Sequence, residues 1–176
     1  DLPESLTSIS IGAFENCLSL SSIVIPKDII EVNSRAFVGC AALDTMVWNA
    51  KYSNHALPVD GVRSQIRYLI FGDDVVNVPA YFCTNMSALK SVRIGLNVKQ
   101  VGVGAFDGCS ALESIEWNAR RCRDCKEGYS PFAGVVHHIQ SLTIGSEVEY
   151  IPSFLFAGMK SVVSLEIPAN VTTIGA

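Results

Sequence analysis

A 23-residue internal repeat constrains this chain more than any other feature of its sequence. Three nearly identical Ala-Phe strings, each with a cysteine three residues after the phenylalanine, contain Phe14, Phe37 and Phe106. The first two phenylalanines lie 23 residues apart, and the third lies 69 residues further on, which is three periods. A period of this length is typical of a solenoid, in which each repeat forms one coil and buries its apolar face only against its neighbours.

An apolar triad follows the same period along the whole chain, interrupted once by a four-residue insertion before its sixth copy. The seven copies are Leu20, Ile23, Ile25; Leu43, Met46, Trp48; Ile66, Leu69, Phe71; Leu89, Val92, Ile94; Leu112, Ile115, Trp117; Ile139, Leu142, Ile144; and Val162, Leu165, Ile167. The spacing Leu-x-x-Ile-x-Ile is that of a leucine-rich repeat. Because inward and outward positions alternate in its second half, we expect a short strand with one buried face.

These patterns predict a repeat solenoid: a leucine-rich-repeat right-handed coil with one parallel β-sheet, short strands and few helices. We expect the phenylalanines of the Ala-Phe strings, together with Phe156, to stack in the interior of the coil. Seven parallel strands are expected to end near Ile25, Trp48, Phe71, Ile94, Trp117, Ile144 and Ile167.

The repeat extends through residues 1–176, so we expect a single array of about seven units rather than two domains. The units at residues 49–71 and 118–144 are irregular, because both begin after a tryptophan and lack the Ala-Phe string in register. Natural solenoids close with atypical polar caps. Neither end of the sequence has such a cap, and we therefore expect the chain to be part of a longer array.

The combined pattern Leu-x-x-Ile-x-Ile-Pro-x-x-Val-x-x-Ile-Gly-x-x-Ala-Phe-x-x-Cys resembles the BspA-like, or TpLRR-type, leucine-rich repeats of bacterial surface proteins. The resemblance covers residues 2–176, and residues 49–65 and 118–138 depart from it. It implies a non-enzymatic protein-binding module that is extracellular or located at the cell surface. Some members are adhesins that engage host extracellular proteins. That family has no fixed residue-level binding motif, so the resemblance supplies no site residues.

The charge balance excludes one large class of partners. Thirteen basic and seventeen acidic residues give a formal net charge of −4. A nucleic-acid binder needs a basic face to neutralise phosphates, so we predict that this chain binds no nucleic acid. No apolar run approaches the roughly 18 residues that a spanning helix needs, and we expect no membrane insertion by this chain.

One position of the repeat holds either cysteine or methionine in five of the units. Cys17, Cys40 and Cys109 share this slot with Met86 and Met159. A slot that accepts both residue types is apolar. We therefore expect the three cysteines to be buried and reduced, rather than to form a ladder of reactive thiols or metal ligands.

Cys122 and Cys125 form a Cys-x-x-Cys motif in a polar, basic insertion that no other unit has. A zinc site would need a second ligand pair, and only the adjacent His137 and His138 are near in sequence. A thioredoxin-like redox centre would need a helix start in a βαβ unit, which the pattern does not contain. A local disulfide or two free thiols is the interpretation that we favour. No nucleophile, dinucleotide or metal motif is complete, so we predict no enzyme, no cofactor and no metal.

In-register stacking would align the outward strand positions into columns on one face of the sheet. One column is Ser22, Thr45, Tyr68, Ser91, Ser114, Ser141 and Ser164, and the next is Val24, Val47, Ile70, Arg93, Glu116, Thr143 and Glu166. Opposite charges fall on neighbouring strands in three places: Asp44 with Arg67, Lys90 with Glu113, and Arg93 with Glu116.

Tyr68 is the one aromatic residue in these columns, and it adjoins an apolar stripe. Solvent-facing patches of this kind often mark contact sites, although β-branched residues are also ordinary strand formers. We predict a binding face for an extracellular or host protein that contains Tyr68, Val24, Val47, Ile70, Arg93 and Glu116. The alternative is a passive spacer that presents another domain and has no ligand of its own.

Overall fold

The computed structural model describes residues 1–51 and 57–175. Its strands are two or four residues long, and the described residues contain no helix. In chain order the strands are β1 (Ser8–Ile9), β2 (Ser22–Ile25), β3 (Glu31–Val32), β4 (Thr45–Trp48), β5 (Tyr68–Phe71), β6 (Asn77–Val78), β7 (Ser91–Ile94), β8 (Gln100–Val101), β9 (Ser114–Trp117), β10 (Ser141–Ile144), β11 (Tyr150–Ile151) and β12 (Thr173–Ile174).

The six four-residue strands form one parallel sheet in the order β2-β4-β5-β7-β9-β10. Each residue pairs with the residue at the equivalent repeat position, so Ile23 lies opposite Met46 and Met46 lies opposite Leu69. The two-residue strands form three separate parallel ladders: β1 with β3, β6 with β8, and β11 with β12. Parallel pairing between successive coils confirms the predicted leucine-rich-repeat solenoid of short strands.

The predicted seventh strand, which was expected to end near Ile167, is wrong. Residues 162–167 contain no strand and do not pair with β10. The side chain of Leu165 is 44% exposed, whereas the equivalent Leu142 in β10 is 8% exposed. The physical reason is missing apolar cover, because Phe156 precedes this segment and no equivalent phenylalanine follows it within residues 168–175.

Aromatic rings fill the interior of the coils. Phe37 and Phe106 are fully buried, as predicted, while Phe14 and Phe156 at the two ends of the row are only partly buried. Phe14 stacks on Phe37 with ring centroids 5.4 Å apart. Phe106 stacks on Phe132 at 5.0 Å. The sequence pattern did not predict the buried Phe82 and Phe132, because each comes one residue before the repeat position that holds phenylalanine in other units.

Two of the three cysteines in the shared repeat slot, Cys40 and Cys109, are buried. The Cys40 thiol donates to the Phe14 carbonyl at 3.0 Å, and the Cys109 thiol donates to the Cys83 carbonyl at 3.1 Å. Burial raises the pKa of the Cys109 thiol to about 11. Cys17 is exposed, so the expectation of burial is wrong there, because within the described residues no earlier coil covers its thiol. All six cysteines are free thiols.

Asparagine side chains set the contact between several successive coils. Each of four asparagines packs against a glycine one unit later, where a Cβ would overlap the asparagine Oδ1. The pairs are Asn16 with Gly39, Asn49 with Gly72, Asn85 with Gly108, and Asn118 with Gly145. The order of residue types along the repeat therefore determines how closely neighbouring backbones approach each other.

Candidate functional site

The outward side chains of the six-stranded sheet form the surface that we call the open face. Its two predicted columns are in register across all six strands. The first contains Ser22, Thr45, Tyr68, Ser91, Ser114 and Ser141, and the second contains Val24, Val47, Ile70, Arg93, Glu116 and Thr143. Ser164 and Glu166 were expected to extend the columns, but they lie in the segment that forms no strand.

Tyr68 lies on the central strand β5 between Thr45 and Ser91, and it is 44% exposed. The alternation of strand side chains places Ile70 on the same face, two residues along. The apolar stripe beside them is less open than the sequence indicated. Val24 is exposed because it lies on the edge strand β2, whereas Val47 and Ile70 are half-buried between neighbouring strands.

Arg93 and Glu116 meet on adjacent strands, as predicted. Arg93 Nε lies 3.2 Å from Glu116 Oε1, and Arg93 Nη1 lies 3.5 Å from Asp73 Oδ1. The Asn118 side-chain amide donates to the same Glu116 oxygen at 2.9 Å. Sequence reasoning missed Asp73 and Asn118, because both follow the strands and reach the ion pair only through the fold. The arginine is therefore held beside the apolar part of the open face.

The other two predicted charge pairs are wrong. Within the described residues, neither Asp44 with Arg67 nor Lys90 with Glu113 forms an ion pair within 4.0 Å. Asp44 instead accepts a hydrogen bond from the Thr45 hydroxyl at 2.8 Å. These residues precede their strands, where exposed long side chains gain little from pairing.

The two thiols of the Cys-x-x-Cys motif lie in different surroundings. Cys122 is buried in the core rather than displayed on the polar insertion, and burial raises the pKa of its thiol to about 12. Desolvation also raises the pKa of the half-buried Cys125, with the charge of Asp124 as a second cause. Raised pKa values keep both thiols protonated and weak as nucleophiles. The described residues contain no group of three side chains suited to holding a metal ion.

The open face therefore offers contact chemistry. A tyrosine presents an apolar ring and a polar hydroxyl, which suits an interface that is partly dry and partly wet. Isoleucine and valine side chains lie beside the ring, and a hydrogen-bonded ion pair borders them. An aromatic anchor beside apolar neighbours with a charged rim is a common arrangement in protein interfaces.

The repeat sequence has a match among protein families. Six copies of the BspA type leucine rich repeat region match this chain over residues 1–57 and 76–176. The chain belongs to the BspA type leucine-rich repeat family. Residues 58–75, most of which belong to the first irregular unit, fall outside the match, and residues 52–56 lie outside the described residues. The family makes this chain a repeat module for protein interaction, since solenoids of this class present extended binding surfaces.

Solved structures of bacterial leucine-rich repeat proteins are similar to this BspA type chain. A protein from Eubacterium ventriosum aligns with a TM-score of 0.51 and 16% identity, over 89% of this chain and 41% of its own. One from Bacteroides ovatus aligns at 0.48 and 19%, over 100% and 50%. The T. pallidum leucine rich repeat protein aligns at 0.47 and 18%, over 99% and 71%. At these identities the likeness concerns the fold alone.

The chain spans half the length of the Bacteroides ovatus protein that it matches. No curated protein shows a significant sequence match to it. Across residues 1–51 and 57–175, no helix has the length and apolar character needed to cross a membrane.

Proposed function

We propose that this chain is a non-enzymatic binding module, secreted or attached to the cell surface, that engages an extracellular or host protein. Family membership supports the class of function. The observation that carries the proposal is the exposure of Tyr68 in the interior of a six-stranded parallel face. A large aromatic side chain on a regular, rigid surface loses little conformational entropy when a partner covers it.

The partner would cover Tyr68 and Ile70 and meet the charged network at the border of the face. Arg93 is paired with Glu116 and Asp73, so a partner does not have to compensate an unpaired charge there. Serine and threonine hydroxyls beside Tyr68 can hydrogen-bond to polar groups of the partner. Covering the aromatic ring supplies most of the binding energy in this arrangement, and the polar rim supplies specificity.

The test is a binding screen followed by a paired substitution. Immobilised fibronectin, fibrinogen and a panel of other extracellular proteins would be presented to the chain, and the affinity for each hit would be measured. We expect Tyr68→Ala with Ile70→Ser to weaken binding at least tenfold, or about 1.4 kcal/mol, while the fold stays intact because both side chains point outward.

Ile30→Ala is the matched control, since it removes an exposed apolar side chain next to the separate β1–β3 ladder and leaves the open face unchanged. Unaltered affinity in a folded Tyr68→Ala, Ile70→Ser variant would overturn the assignment of the open face. A chain that binds none of the proteins on the panel would support the passive spacer instead of the adhesin.

A further inference from the structure

The insertion in the second irregular unit is anchored to the coils on both sides of it. The Arg123 amide donates to the Lys99 carbonyl of the preceding coil at 3.0 Å. The Cys125 amide donates to the Ser153 carbonyl of the following coil at 3.1 Å. The Asp124 carboxylate accepts hydrogen bonds from the Ser153 amide and the Tyr150 hydroxyl. The insertion is therefore a preorganised platform rather than a loose loop.

A tight turn then brings a cation and an aromatic ring together. The Tyr129 amide donates to the Lys126 carbonyl at 2.9 Å, which makes these residues the first and fourth of a four-residue turn. Gly128 occupies the third position with a φ of 78°. A type II turn requires a positive φ at that position, so glycine fits it without strain. The turn fixes Lys126 and Tyr129 on one side of the insertion.

A hollow of about 470 Å³ lies between this insertion and the preceding coil. Its walls are residues 100–103 on one side and residues 123–126 with Tyr129 on the other. The volume is within the range of small-ligand sites. Polar groups on the walls are the Gln100 amide, the Arg123 guanidinium, the Asp124 carboxylate and the Lys126 ammonium.

The charges around the hollow are not balanced. Arg120 and Arg121 of the same segment pair with Glu147 and Glu149. In the part of the chain that the structure describes, Arg123 and Lys126 form no ion pair.

Asp124 is the one acidic residue among those that line the hollow. The hydrogen bond from Tyr150 to Asp124, aided by the Ser153 amide, lowers the pKa of Asp124, so this carboxylate is ionised and already has partners. Two cations against one anion leave a net positive wall in a chain whose total charge is −4. The hollow is therefore suited to an anion.

One exposed aromatic residue lines the hollow. Tyr129 is 60% exposed. Tyr81, also exposed, does not line the hollow, although its amide donates to the carbonyl of Val103 in the wall at 3.2 Å. Tyr81 has a φ of 56°, in a repeat slot where Gly12 and Gly104 also have positive φ values. Phe154 in the same slot has a φ of 55°, so this conformation belongs to the repeat backbone.

We propose that this hollow binds an acidic saccharide, with a sugar ring against Tyr129 and its carboxylate or sulfate group against Arg123 and Lys126. An aromatic face suits the C–H face of a sugar ring. The Gln100 Oε1 accepts from the Arg123 guanidinium at 3.4 Å, and its amide nitrogen can donate to ring hydroxyls. The guanidinium of Arg123 matches the geometry of a carboxylate or a sulfate. This site is separate from the open face, and its occupancy does not depend on the protein partner proposed above.

The test uses three probes of similar length: a hexuronic acid oligosaccharide, a sulfated heparin fragment and a neutral cello-oligosaccharide. Isothermal titration calorimetry would measure each affinity for the intact chain. We expect at least one acidic probe to bind at least tenfold more tightly than the neutral probe. The relative affinities of the two acidic probes distinguish a carboxylate from a sulfate as the recognised group.

Substitutions separate specific recognition from general attraction between opposite charges. We expect Arg123→Gln with Lys126→Gln, and separately Tyr129→Ala, to weaken binding of the acidic probe at least tenfold, while Tyr129→Phe retains it. Lys160→Gln and Tyr68→Ala are the matched controls outside the hollow and should leave the affinity unchanged. Thermal unfolding checks that each variant is folded.

Several outcomes would overturn the site. These are failure of both acidic probes to bind, equal affinity for the neutral probe, or a folded Tyr129→Ala variant that binds as the unsubstituted chain does. Because Tyr68→Ala should affect only the protein partner, failure of this site and failure of the open face are distinguishable.

Discussion

Residues 139–144 and residues 162–167 carry the same apolar triad at the same spacing, yet only the first segment contains a strand. Leu142 in β10 is buried, whereas the equivalent Leu165 is 44% exposed. A hollow of about 500 Å³ separates β10 from residues 164–168. The triad alone therefore does not form a strand.

The first strand of the sheet explains what else is required. β2 is also an edge strand and pairs only with β4, but its Ile25 is fully buried. It lies in sequence between Phe14 and Phe37, whose rings stack on each other. Residues 162–167 follow Phe156, and no second interior phenylalanine follows them within the described residues. Apolar cover from both neighbouring coils, more than the strand sequence itself, orders the strand, as expected when stability is a sum over interfaces.

The largest expected effect compares one truncation at two equivalent positions. Leu69→Ala removes a fully buried side chain from the central strand β5, and it should lower the free energy of unfolding by about 2–5 kcal/mol. Leu165→Ala removes a side chain that is already half in solvent, and it should cost less than about 1 kcal/mol. Denaturant unfolding of both variants measures the difference. Equal losses would show that the seventh triad is packed as tightly as the central ones.

The period predicts the fold well because it directly reports which side chains are buried. The positions of Ile23, Met46 and Leu69 in the sheet follow from counting residues, and the structure pairs them as counted. The same counting aligned Tyr68 and Ile70 with the open face. It cannot predict burial that depends on a neighbouring coil, which is why the exposure of Cys17 and of the seventh triad was missed.

Counting along the repeat also fails for side chains at positions outside the repeat pattern and for side chains in turns. Phe82 and Phe132 reach the core from positions one residue ahead of the phenylalanine slot, because the backbone path differs in those units. Asp73 and Asn118 complete the Arg93 network from outside the strands. The hollow beside Lys126 depends on hydrogen bonds between three coils. None of these features has a periodic signal in the sequence.

An intermediate effect on stability is expected at one repeat position that holds glycine. It is Gly108 among the central coils and Gly158 in the coil next to residues 162–167. Gly108 and Gly158 have φ values of 75° and 85°, so Ala would be strained at both, by about 1–2 kcal/mol. A Cβ at Gly108 would also overlap Asn85, whereas the nearest atom to a Cβ at Gly158 is 3.6 Å away, on Val136. Gly108→Ala should therefore lower the free energy of unfolding by about 1–3 kcal/mol more than Gly158→Ala.

A compensating change sharpens this glycine comparison. Asn85→Gly removes the side chain that a Cβ at Gly108 would overlap, and glycine tolerates the φ of 59° at position 85. Adding Asn85→Gly to Gly108→Ala should recover part of the lost stability in denaturant unfolding. If the double variant is no more stable than Gly108→Ala, the contact between coils does not determine the cost at this slot.

The smallest expected effect concerns charge pairs at the open face. It compares Arg93 with Glu116, which form an ion pair, and Lys90 with Glu113, which do not. Arg93 and Glu116 are partly exposed, so a double-mutant cycle with Arg93→Gln and Glu116→Gln should give a coupling of about 0.2–1 kcal/mol. The coupling should shrink as salt is added, because exposed charges are screened. The same cycle on Lys90 and Glu113, which form no ion pair, should give a coupling near zero. Equal couplings for the two pairs would mean that the sheet register, and not the network with Asp73 and Asn118, determines which charges interact.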